Sequence, residues 1–211
     1  MINIIIADDH PVVRHGIKQI LAEESDMKLL AEAANGRELL EKARNLPCDV
    51  VLLDISMPGR GGLDVLSELR RDRPRVPVLV LSVHSEDQFG QRVLKSGAAG
   101  FMNKESAPEE LVKAIREVYG GGRYASSSLA EKLASDLATD SERPPHEDLS
   151  DREYQVLCMI ASGKTVSEIA RELSLSTKTI STYRARILEK MGMKTNAQLT
   201  YYAIRKSLVS S

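Results

Sequence analysis

The acidic residues best placed to do chemistry follow two apolar runs of the chain. Asp54 comes directly after residues 50–53, and Asp8 and Asp9 come directly after residues 3–7. The carboxyl ends of neighbouring parallel strands meet at one edge of a sheet, which is where α/β proteins bind ligands. If both runs are such strands, the three carboxylates lie close together. The spacing therefore predicts an acidic site at one edge of a parallel sheet.

Three carboxylates this close together need a positive charge. Two of them about 4 Å apart repel by roughly 4 kcal/mol at an effective dielectric constant of about 20. We therefore expect a divalent cation between them, and a set of oxygen ligands favours Mg²⁺. Lys104 follows the last apolar run and Ser82 ends the fourth, which adds an ammonium and a hydroxyl at the same edge. This set fits a transferring phosphoryl group, with Asp54 as the nucleophile that becomes an acyl phosphate.

Each of these residues also has a simpler explanation. A strand-end Asp often caps the loop or helix that follows, and for Asp8 or Asp9 alone that explanation is as good as metal binding. For Ser82 alone it is the better one. The joint occurrence at the ends of four strands favours the phosphoryl-transfer site. His10 and His84 invite a proton-transfer or relay interpretation, but their positions assign neither of them a chemical role.

The elements that must position these residues alternate between apolar strands and amphipathic helices over the first 119 residues. Five strand–helix units predict a doubly wound parallel sheet that is covered on both faces. The predicted strands are 3–7, 28–33, 49–53, 77–82 and 98–102, and the predicted helices are 11–22, 36–46, 63–72, 86–96 and 108–119. A short helix is predicted over residues 126–138. Residues 139–148 lack apolar anchors and are expected to form a flexible tether.

The last third of the chain has helical periodicity throughout. Four short helices are predicted, and the tight turn between the second and third is typical of a helix-turn-helix module. A capping box of Ser150 and Glu153 starts the first helix, Ser176 caps the third, and Gly163 and Gly192 end the first and third. The predicted spans are residues 151–161, 166–173, 177–191 and 196–207.

Charge divides the chain into the same two parts as the predicted helices and strands do. Residues 150–211 hold 10 Lys and Arg and 5 Asp and Glu, a net charge of +5, whereas the remainder carries −6. Two modules with different partners are therefore expected. Cys48 and Cys158 are too few for a zinc site or a disulfide framework, and we expect buried thiols in a reducing cytosol. With no apolar run long enough to span a bilayer and no secretory signal, a cytoplasmic protein without a membrane partner is expected.

The third helix of the basic module has side chains suited to double-stranded DNA. Its apolar residues share one stripe that should face the other helices. On the opposite face, the short side chains of Ser181, Thr182 and Ala185 would let the helix enter the major groove. Four further residues lie on the shoulders of that face, where they would meet phosphates: Lys178, Thr179, Tyr183 and Arg186.

Arg184 and the modest charge leave room for other interpretations of this helix. Arg184 projects near the apolar stripe, and it could extend to a phosphate or pair near Glu189. A helical interaction module with a solvated charged face explains the same residues about equally well when they are taken without context. The motifs around the helix decide in favour of DNA.

Those motifs, and the motifs of the acidic site, resemble a known family. Asp8-Asp9, residues 53–58, Leu81-Ser82 and residues 100–104 resemble the receiver domain of two-component response regulators, and residues 7–16 resemble its NarL/FixJ subfamily. Residues 149–157, 163–170 and 176–183 resemble a LuxR-type helix-turn-helix. The resemblance implies a flavodoxin-like α/β receiver domain at 1–122, a linker at 123–148 and an all-α DNA-binding domain of four helices at 149–211.

The resemblance also implies roles for the site residues. Asp54 would be the phosphoacceptor, and Lys104 and Ser82 would hold the phosphoryl oxygens. Asp9, Asp54 and the backbone carbonyl of Ser56 would bind Mg²⁺, with Asp8 acting mainly through water. Ser82 and Phe101 would form the switch, and Val83, which is bulkier than the small residue that many receivers have after the Ser or Thr, would restrict access to the phosphoryl group. The side chains of the recognition helix that would contact DNA are Lys178, Thr179, Ser181, Thr182, Tyr183, Arg184, Ala185 and Arg186.

The implied protein is a DNA-binding transcription regulator and not an enzyme, with at most weak self-phosphorylation and dephosphorylation. Its implied partners are a sensor histidine kinase, double-stranded DNA, a second copy of the chain in the active state, and RNA polymerase as a further candidate.

Two alternatives belong to other functional classes, and a third is a closer competitor. An aspartyl-nucleophile phosphatase needs a second carboxylate two residues after Asp54, where Ser56 stands. A regulator that binds a small ligand needs an aromatic-lined pocket, whereas aromatic residues are only 4% of the chain and Trp is absent. A receiver controlled by protein binding without phosphorylation is the closest competitor, and the intact acidic set disfavours it.

Overall fold

The chain forms two compact units, Met1–Ala134 and Ser135–Ser211, in a computed structural model. The structure describes residues 1–57, 61–83, 86–126, 129, 131, 144–173, 175–206 and 208–209. Within these residues, no helix is long and apolar enough to cross a membrane. The expected domain boundaries at residues 122 and 149 stay predictions. Most of the predicted helix over 126–138 lies outside the described residues.

The first unit is built on a parallel sheet of five strands in the order β2-β1-β3-β4-β5. Every residue of β3 and β4 is buried, as expected for central strands with both faces covered. The predicted fold class is confirmed, and the predicted strand ends are correct to within two residues. The strands are β1 Ile2–Ala7, β2 Met27–Ala33, β3 Val50–Asp54, β4 Val78–Ser82 and β5 Gly100–Asn103.

Five helices connect and cover these strands. Pro11 and Pro108 each stand at the start of a helix, where the missing N–H leaves no hydrogen bond unmade. The last helix packs its apolar side chains, among them Leu111 and Ile115, into the same core cluster as residues of β1, β3 and β4. The helices are α1 Pro11–Ala22, α2 Gly36–Asn45, α3 Gly62–Asp72, α4 Glu86–Lys95 and α5 Pro108–Tyr119.

Gly62 fixes the loop that follows Asp54. A Cβ atom added at Gly62 would lie 2.4 Å from the Cα atom of Ile55 and 2.6 Å from its carbonyl oxygen. Both are backbone atoms, so neither can rotate away as a flexible side chain would. The absence of a side chain at Gly62 therefore lets α3 begin directly against the residue after Asp54.

The described part of the second unit contains four α-helices, and each begins at a capped position. Capping boxes pair Ser150 with Glu153, Thr165 with Glu168 and Thr195 with Gln198. Ser176 accepts a hydrogen bond from the backbone N–H of Thr179, as predicted. The helices are α6 Asp151–Ala161, α7 Val166–Glu172, α8 Thr177–Lys190 and α9 Asn196–Arg205. Residue 207, the predicted end of the last helix, lies outside the described residues.

Glycines end two of these helices in the way that the sequence predicts. Gly163 follows α6 with a φ of 84°, and Gly192 follows α8 with a φ of 64°. This left-handed conformation is costly for residues with a Cβ atom and is the usual way for a helix to stop. The turns after α6 and α8 are thereby encoded locally.

Residues 145–148 differ from the expected flexible tether. They form a short 3₁₀ helix, Pro145–Asp148, and His146 Nδ1 lies 2.7 Å from the hydroxyl oxygen of Tyr202 on α9. The imidazole ring also packs near the rings of Tyr154 and Tyr202, at centroid distances of 6.1 and 5.8 Å. The predicted flexible tether was wrong for these four residues, because the imidazole ring of His146 anchors them where no aliphatic side chain does. Residues 139–143 lie outside the described residues.

Replacement of Gly62 by Ala should destabilise the first unit by about 1–3 kcal/mol, because the added methyl group meets backbone atoms of Ile55. Denaturant unfolding followed by circular dichroism measures this change. Gly16→Ala is the matched control, since a Cβ atom there meets no atom within 4 Å. In the interior of α1 that change should raise stability by up to about 1 kcal/mol. Equal stability of the two variants would show that the loop after Asp54 moves freely.

Candidate functional site

The strand ends bring the predicted acidic site together. Asp54 and Ser82 are the last residues of β3 and β4, Asp8 follows β1, and Lys104 follows β5. Since β1, β3, β4 and β5 are neighbours in that order, these residues share one edge of the sheet. The side chains of Asp8, Asp54 and Ser82 are completely buried there. The predicted convergence of carboxylates, hydroxyl and ammonium at this edge is what the structure shows.

Lys104 forms the centre of the site. Its Nζ atom lies 2.7 Å from Asp54 Oδ2 and 2.6 Å from Asp8 Oδ2, and its side chain is 8% exposed. The other carboxylate oxygen of Asp54 accepts a hydrogen bond of 2.7 Å from the backbone N–H of Ser56. The backbone N–H of Lys104 donates to the carbonyl oxygen of Ser82. One ammonium thus ties the ends of β1, β3 and β5 together.

Burial and charge act against each other on these groups. Burial raises the pKa of Asp54 above its usual range, and the Lys104 ammonium and the Ser56 amide offset this only in part. For Lys104 burial acts in the opposite sense, but the carboxylates of Asp54 and Asp8 prevail and raise its pKa. Because the pKa of Asp54 is raised in the folded state, its contribution to stability is fully present below its ordinary pKa and is lost as the pH rises through the raised pKa. Ionised Asp54 therefore costs stability at neutral pH, and an added cation would offset that cost.

His10 is a member of the site that the sequence interpretation left without a role. Its Nδ1 atom lies 3.1 Å from Asp8 Oδ1 and 3.1 Å from Asp9 Oδ1. One oxygen from each of Asp8, Asp9 and Asp54 and one ring nitrogen of His10 all lie within 4.8 Å of one another. Its position directly after the acidic pair was the available signal, but only the start of α1 turns the ring back toward the two carboxylates.

The donor set fits a divalent cation. Asp8 Oδ2 and Asp9 Oδ1 are buried and have no hydrogen-bond partner among the residues that the structure describes. Lys104 Nζ lies 2.6 Å from the first of these oxygens, and His10 Nδ1 lies 3.1 Å from the second. Hard carboxylate oxygens with unused lone pairs are the ligands that Mg²⁺ prefers. Lys104 and His10 also contact these carboxylates, so Mg²⁺ would share them with an ammonium and an imidazole, and the need for the metal stays a prediction.

The expected switch residues lie beside this site. Phe101 lies on β5, two residues before the strand ends at Asn103, and it is 2% exposed. Ser82 ends β4, and the residue after it, Val83, is 60% exposed. Residue 84, the second histidine considered, lies outside the described residues. The structure thus places Ser82 and Phe101 on the adjacent strands β4 and β5, and their switching roles stay predictions.

The recognition helix predicted from the sequence is α8. Ile180 and Ile187 are fully buried, whereas Lys178, Ser181, Thr182, Ala185 and Arg186 are exposed. Thr179, Tyr183 and Arg184 are partly exposed. A shallow surface cleft is lined by Ser176, Lys178, Thr179, Thr182, Tyr183 and Arg186. The short side chains and the basic residues therefore lie on one accessible face of this helix.

Arg184 has a contact that the sequence interpretation missed. Its Nε atom donates a hydrogen bond of 2.6 Å to Asn196 Oδ1 at the start of α9. The expected neighbour, Glu189, is not the partner in this bond. Arg184 thus fastens α8 to α9, and the remaining guanidinium nitrogens are the part left for a phosphate.

Comparison with known proteins identifies both units. The response regulator receiver domain family matches residues 4–116, and the family of bacterial regulatory proteins of the luxR type matches residues 147–203. Response regulator UvrY of Escherichia coli K12 is 40% identical over 212 residues, which cover 100% of this chain and 97% of UvrY. The chain belongs to the two-component response regulators with a LuxR-type helix-turn-helix domain. Response regulator GacA of Pseudomonas aeruginosa is also 40% identical, over 100% of this chain and 99% of GacA.

Solved structures of response regulators agree with the fold. RcsB from Salmonella enterica serovar Typhimurium, bound to promoter rprA in the presence of the phosphomimetic BeF₃⁻, matches with a TM-score of 0.63. It is 29% identical, and the match covers 95% of this chain and 97% of RcsB. A structure of two RcsB dimers on two parallel DNAs matches 99% of both chains with a TM-score of 0.59. The predicted family and architecture are confirmed for this response regulator.

Replacement of Lys104 by Ala should cost the receiver unit about 3–5 kcal/mol in magnesium-free buffer, because it leaves two buried carboxylates without their shared cation. Millimolar Mg²⁺ should restore part of the loss by binding the folded state, and calorimetric unfolding with and without the ion measures both effects.

Lys18→Ala is the control for this prediction. Lys18 is 60% exposed and lies 3.6 Å from Glu32, and such a surface pair contributes at most about 1 kcal/mol. Its stability should not depend on Mg²⁺ beyond that of the unaltered chain. If Mg²⁺ stabilised neither Lys104→Ala nor Lys18→Ala, the acidic oxygens would not form a cation site.

Proposed function

We propose that this response regulator is switched by phosphorylation of Asp54, with a sensor histidine kinase as the donor. The observation that carries the proposal is the placement of Asp54, fully buried at the end of β3 with Lys104 Nζ 2.7 Å from one carboxylate oxygen. A carboxylate of this kind can attack phosphorus while a nearby ammonium receives the charge on the phosphoryl oxygens. In the transfer, a carboxylate oxygen forms the new O–P bond and the P–N bond of a phosphohistidine breaks, leaving its electron pair on the imidazole nitrogen.

Asp8, Asp9, Asp54 and the backbone carbonyl of Ser56 would hold Mg²⁺ in this site. Bound Mg²⁺ would supply positive charge for the phosphoryl oxygens and for the crowded carboxylates. The carboxylate oxygens of Asp8, Asp9 and Asp54 that lie within 4.8 Å of one another support this choice. The Ser56 amide keeps Asp54 oriented by its hydrogen bond of 2.7 Å. The chain itself would have no catalytic activity beyond slow transfer to Asp54 and slow hydrolysis of the product.

Phosphorylation would shift a pre-existing equilibrium between two conformations of the receiver unit. Lys104 now bridges Asp54 and Asp8, and it would turn toward the phosphoryl oxygens, which carry more charge than the carboxylate they replace. The Ser82 hydroxyl would approach the same oxygens, and Phe101 would repack on β5. Because Phe101 lacks a hydroxyl, its movement would be driven by packing and not by a new hydrogen bond.

The output of the switch would be binding of α8 in the major groove of double-stranded DNA. Ser181, Thr182 and Ala185 would face the bases, and the basic residues beside them would meet phosphates. The RcsB structures on DNA support this proposal, and the RcsB dimers support a homodimer as the active form. A DNA partner and a kinase donor imply a cytoplasmic location, and RNA polymerase is a further candidate partner.

Regulation by protein binding without phosphorylation is the second candidate. The bridge that Lys104 makes between Asp54 and Asp8 favours it, since this pocket is already compensated without any added ion or phosphoryl group. The close group of carboxylate oxygens from Asp8, Asp9 and Asp54 favours phosphorylation instead, because it could hold the metal that phosphoryl transfer needs. The labelling experiment below separates the two.

Asp54→Asn should abolish labelling by a small phosphodonor such as acetyl phosphate in the presence of Mg²⁺, because an amide is not a nucleophile at phosphorus. Intact mass spectrometry measures the added phosphoryl group. Asp64→Asn removes an exposed carboxylate of α3 and should label as the unaltered chain does. Undiminished labelling of Asp54→Asn would refute the phosphoacceptor assignment. No labelling of the unaltered chain would favour the phosphorylation-independent alternative.

Lys178→Ala should weaken binding to duplex DNA uniformly across sequences and reduce its salt dependence. Loss of one phosphate contact per bound protomer should lower the slope of log affinity against log salt by about 0.9. Fluorescence anisotropy at several salt concentrations measures this slope. Lys113→Ala removes the same charge from the exposed face of α5 and should leave the slope unchanged. An unchanged slope for Lys178→Ala would remove this residue from the DNA interface.

A further inference from the structure

The chain that leaves α5 turns back along the edge of the sheet. The backbone N–H of Tyr124 donates to the carbonyl oxygen of Ala99, and the N–H of Phe101 donates to the carbonyl oxygen of Tyr124, both at 3.0 Å. Tyr124 therefore pairs with Gly100 in a parallel bridge beyond β5. A Cβ atom at Gly100 would lie 2.8 Å from the carbonyl oxygen of Tyr124, so only glycine admits so close an approach.

The same segment then crosses onto α4. The backbone N–H of Ser126 donates a hydrogen bond of 2.9 Å to Glu86 Oε1 in the first turn of α4. Ser126 Oγ in turn accepts from the backbone N–H of Leu129 at 3.2 Å. Leu129 is 2% exposed, and its Cδ2 atom occupies a notch at Gly90, where an added Cβ would lie 2.6 Å away. Residues 123–126 together with Leu129 are called the strap below.

The strap contacts the two elements that follow the phosphoryl-binding residues. Its backbone bonds reach Phe101, three residues before Lys104. Its side-chain and amide contacts reach α4, which begins four residues after Ser82. A movement of Lys104 or Ser82 is therefore passed to the strap through a few covalently linked residues. These are the two residues that must move when the charge at Asp54 changes.

We propose that the strap is the element that reports the state of the acidic site to the linker. It is docked on β5 and α4 while Lys104 bridges Asp54 and Asp8, and it leaves α4 when a phosphoryl group on Asp54 draws Lys104 and Ser82 toward itself. The inference rests on the proposed function, because phosphorylation is its trigger. The contact between the strap and α4 is sensitive to small shifts. A hydrogen bond is lost beyond about 3.5 Å, and a packed side chain adopts one of a few discrete positions.

The coupling must act in both directions. If the phosphoryl group favours the undocked strap, a variant whose strap is already undocked accepts the phosphoryl group more readily. This reciprocity gives a readout at Asp54, far from the substitution. A strap that serves only to cover the edge of β5 would affect stability and leave phosphorylation unchanged.

Hydrogen exchange of the full chain tests the proposal. The amides of Ser126 and Leu129 are expected to exchange at least about tenfold faster after treatment with acetyl phosphate and Mg²⁺, which corresponds to about 1.4 kcal/mol of opening free energy. Amides of β1 and β3 should keep their protection, which shows that the fold is intact. Intact mass spectrometry of the same sample gives the fraction labelled at Asp54.

Two substitutions undock the strap from opposite sides. Leu129→Ala removes the side chain that fills the notch, and Gly90→Val fills the notch from α4. Both should give fast exchange at Ser126 without a phosphodonor, and both should increase the fraction labelled at a fixed acetyl phosphate concentration. Arg123→Ala changes an exposed residue of the strap and is the matched control, with exchange and labelling as in the unaltered chain.

The outcomes separate this inference from the proposed function. If Asp54 is labelled and exchange at residues 124–129 stays the same or slows, the coupling is overturned while phosphorylation stands. If both undocked variants label like the unaltered chain, the coupling is overturned as well. If the unaltered chain takes no phosphoryl group, the proposed function fails, and the coupling fails with it.

Discussion

The receiver unit depends on one buried ammonium that serves two buried carboxylates. Lys104 joins the ends of three strands, and burial keeps the pKa of Asp54 above its usual range although Lys104 lowers it. Negative charge is therefore compensated enough for the fold to form, but not fully. A site in this condition is stable when empty and still gains from an added cation. The same condition lets Lys104 exchange one anionic partner for another, which is what a reversible switch requires.

Much of this arrangement could be predicted from the sequence. The sheet followed from the alternation of apolar runs and amphipathic helices, and the convergence of Asp8, Asp54, Ser82 and Lys104 followed from the rule that parallel strands end at one edge. Both arguments use patterns that are local along the chain. The Lys104 ammonium between Asp54 and Asp8 adds to the charge compensation that the sequence argument assigned to a metal, and Mg²⁺ binding stays a prediction.

The features that the sequence did not reveal are contacts between distant elements. His10 contacts Asp8 and Asp9 because the chain turns at the start of α1. Arg184 on α8 donates a hydrogen bond to Asn196 at the start of α9. The pairing of Tyr124 with Gly100 requires a close approach of two backbones, for which a glycine is a permissive but unspecific sign. His146 was read as part of a polar stretch, whereas its ring packs against two tyrosines.

The capping boxes of the second unit have a consequence for how such proteins diversify. Three of its four helices carry their own start signals within four consecutive residues, so the places where they begin depend little on what precedes them in the chain. A module specified in this way can be transplanted behind an unrelated sensory domain and still fold to the same shape. Recombination of genes can then create new input–output pairs without redesign of the DNA-reading part.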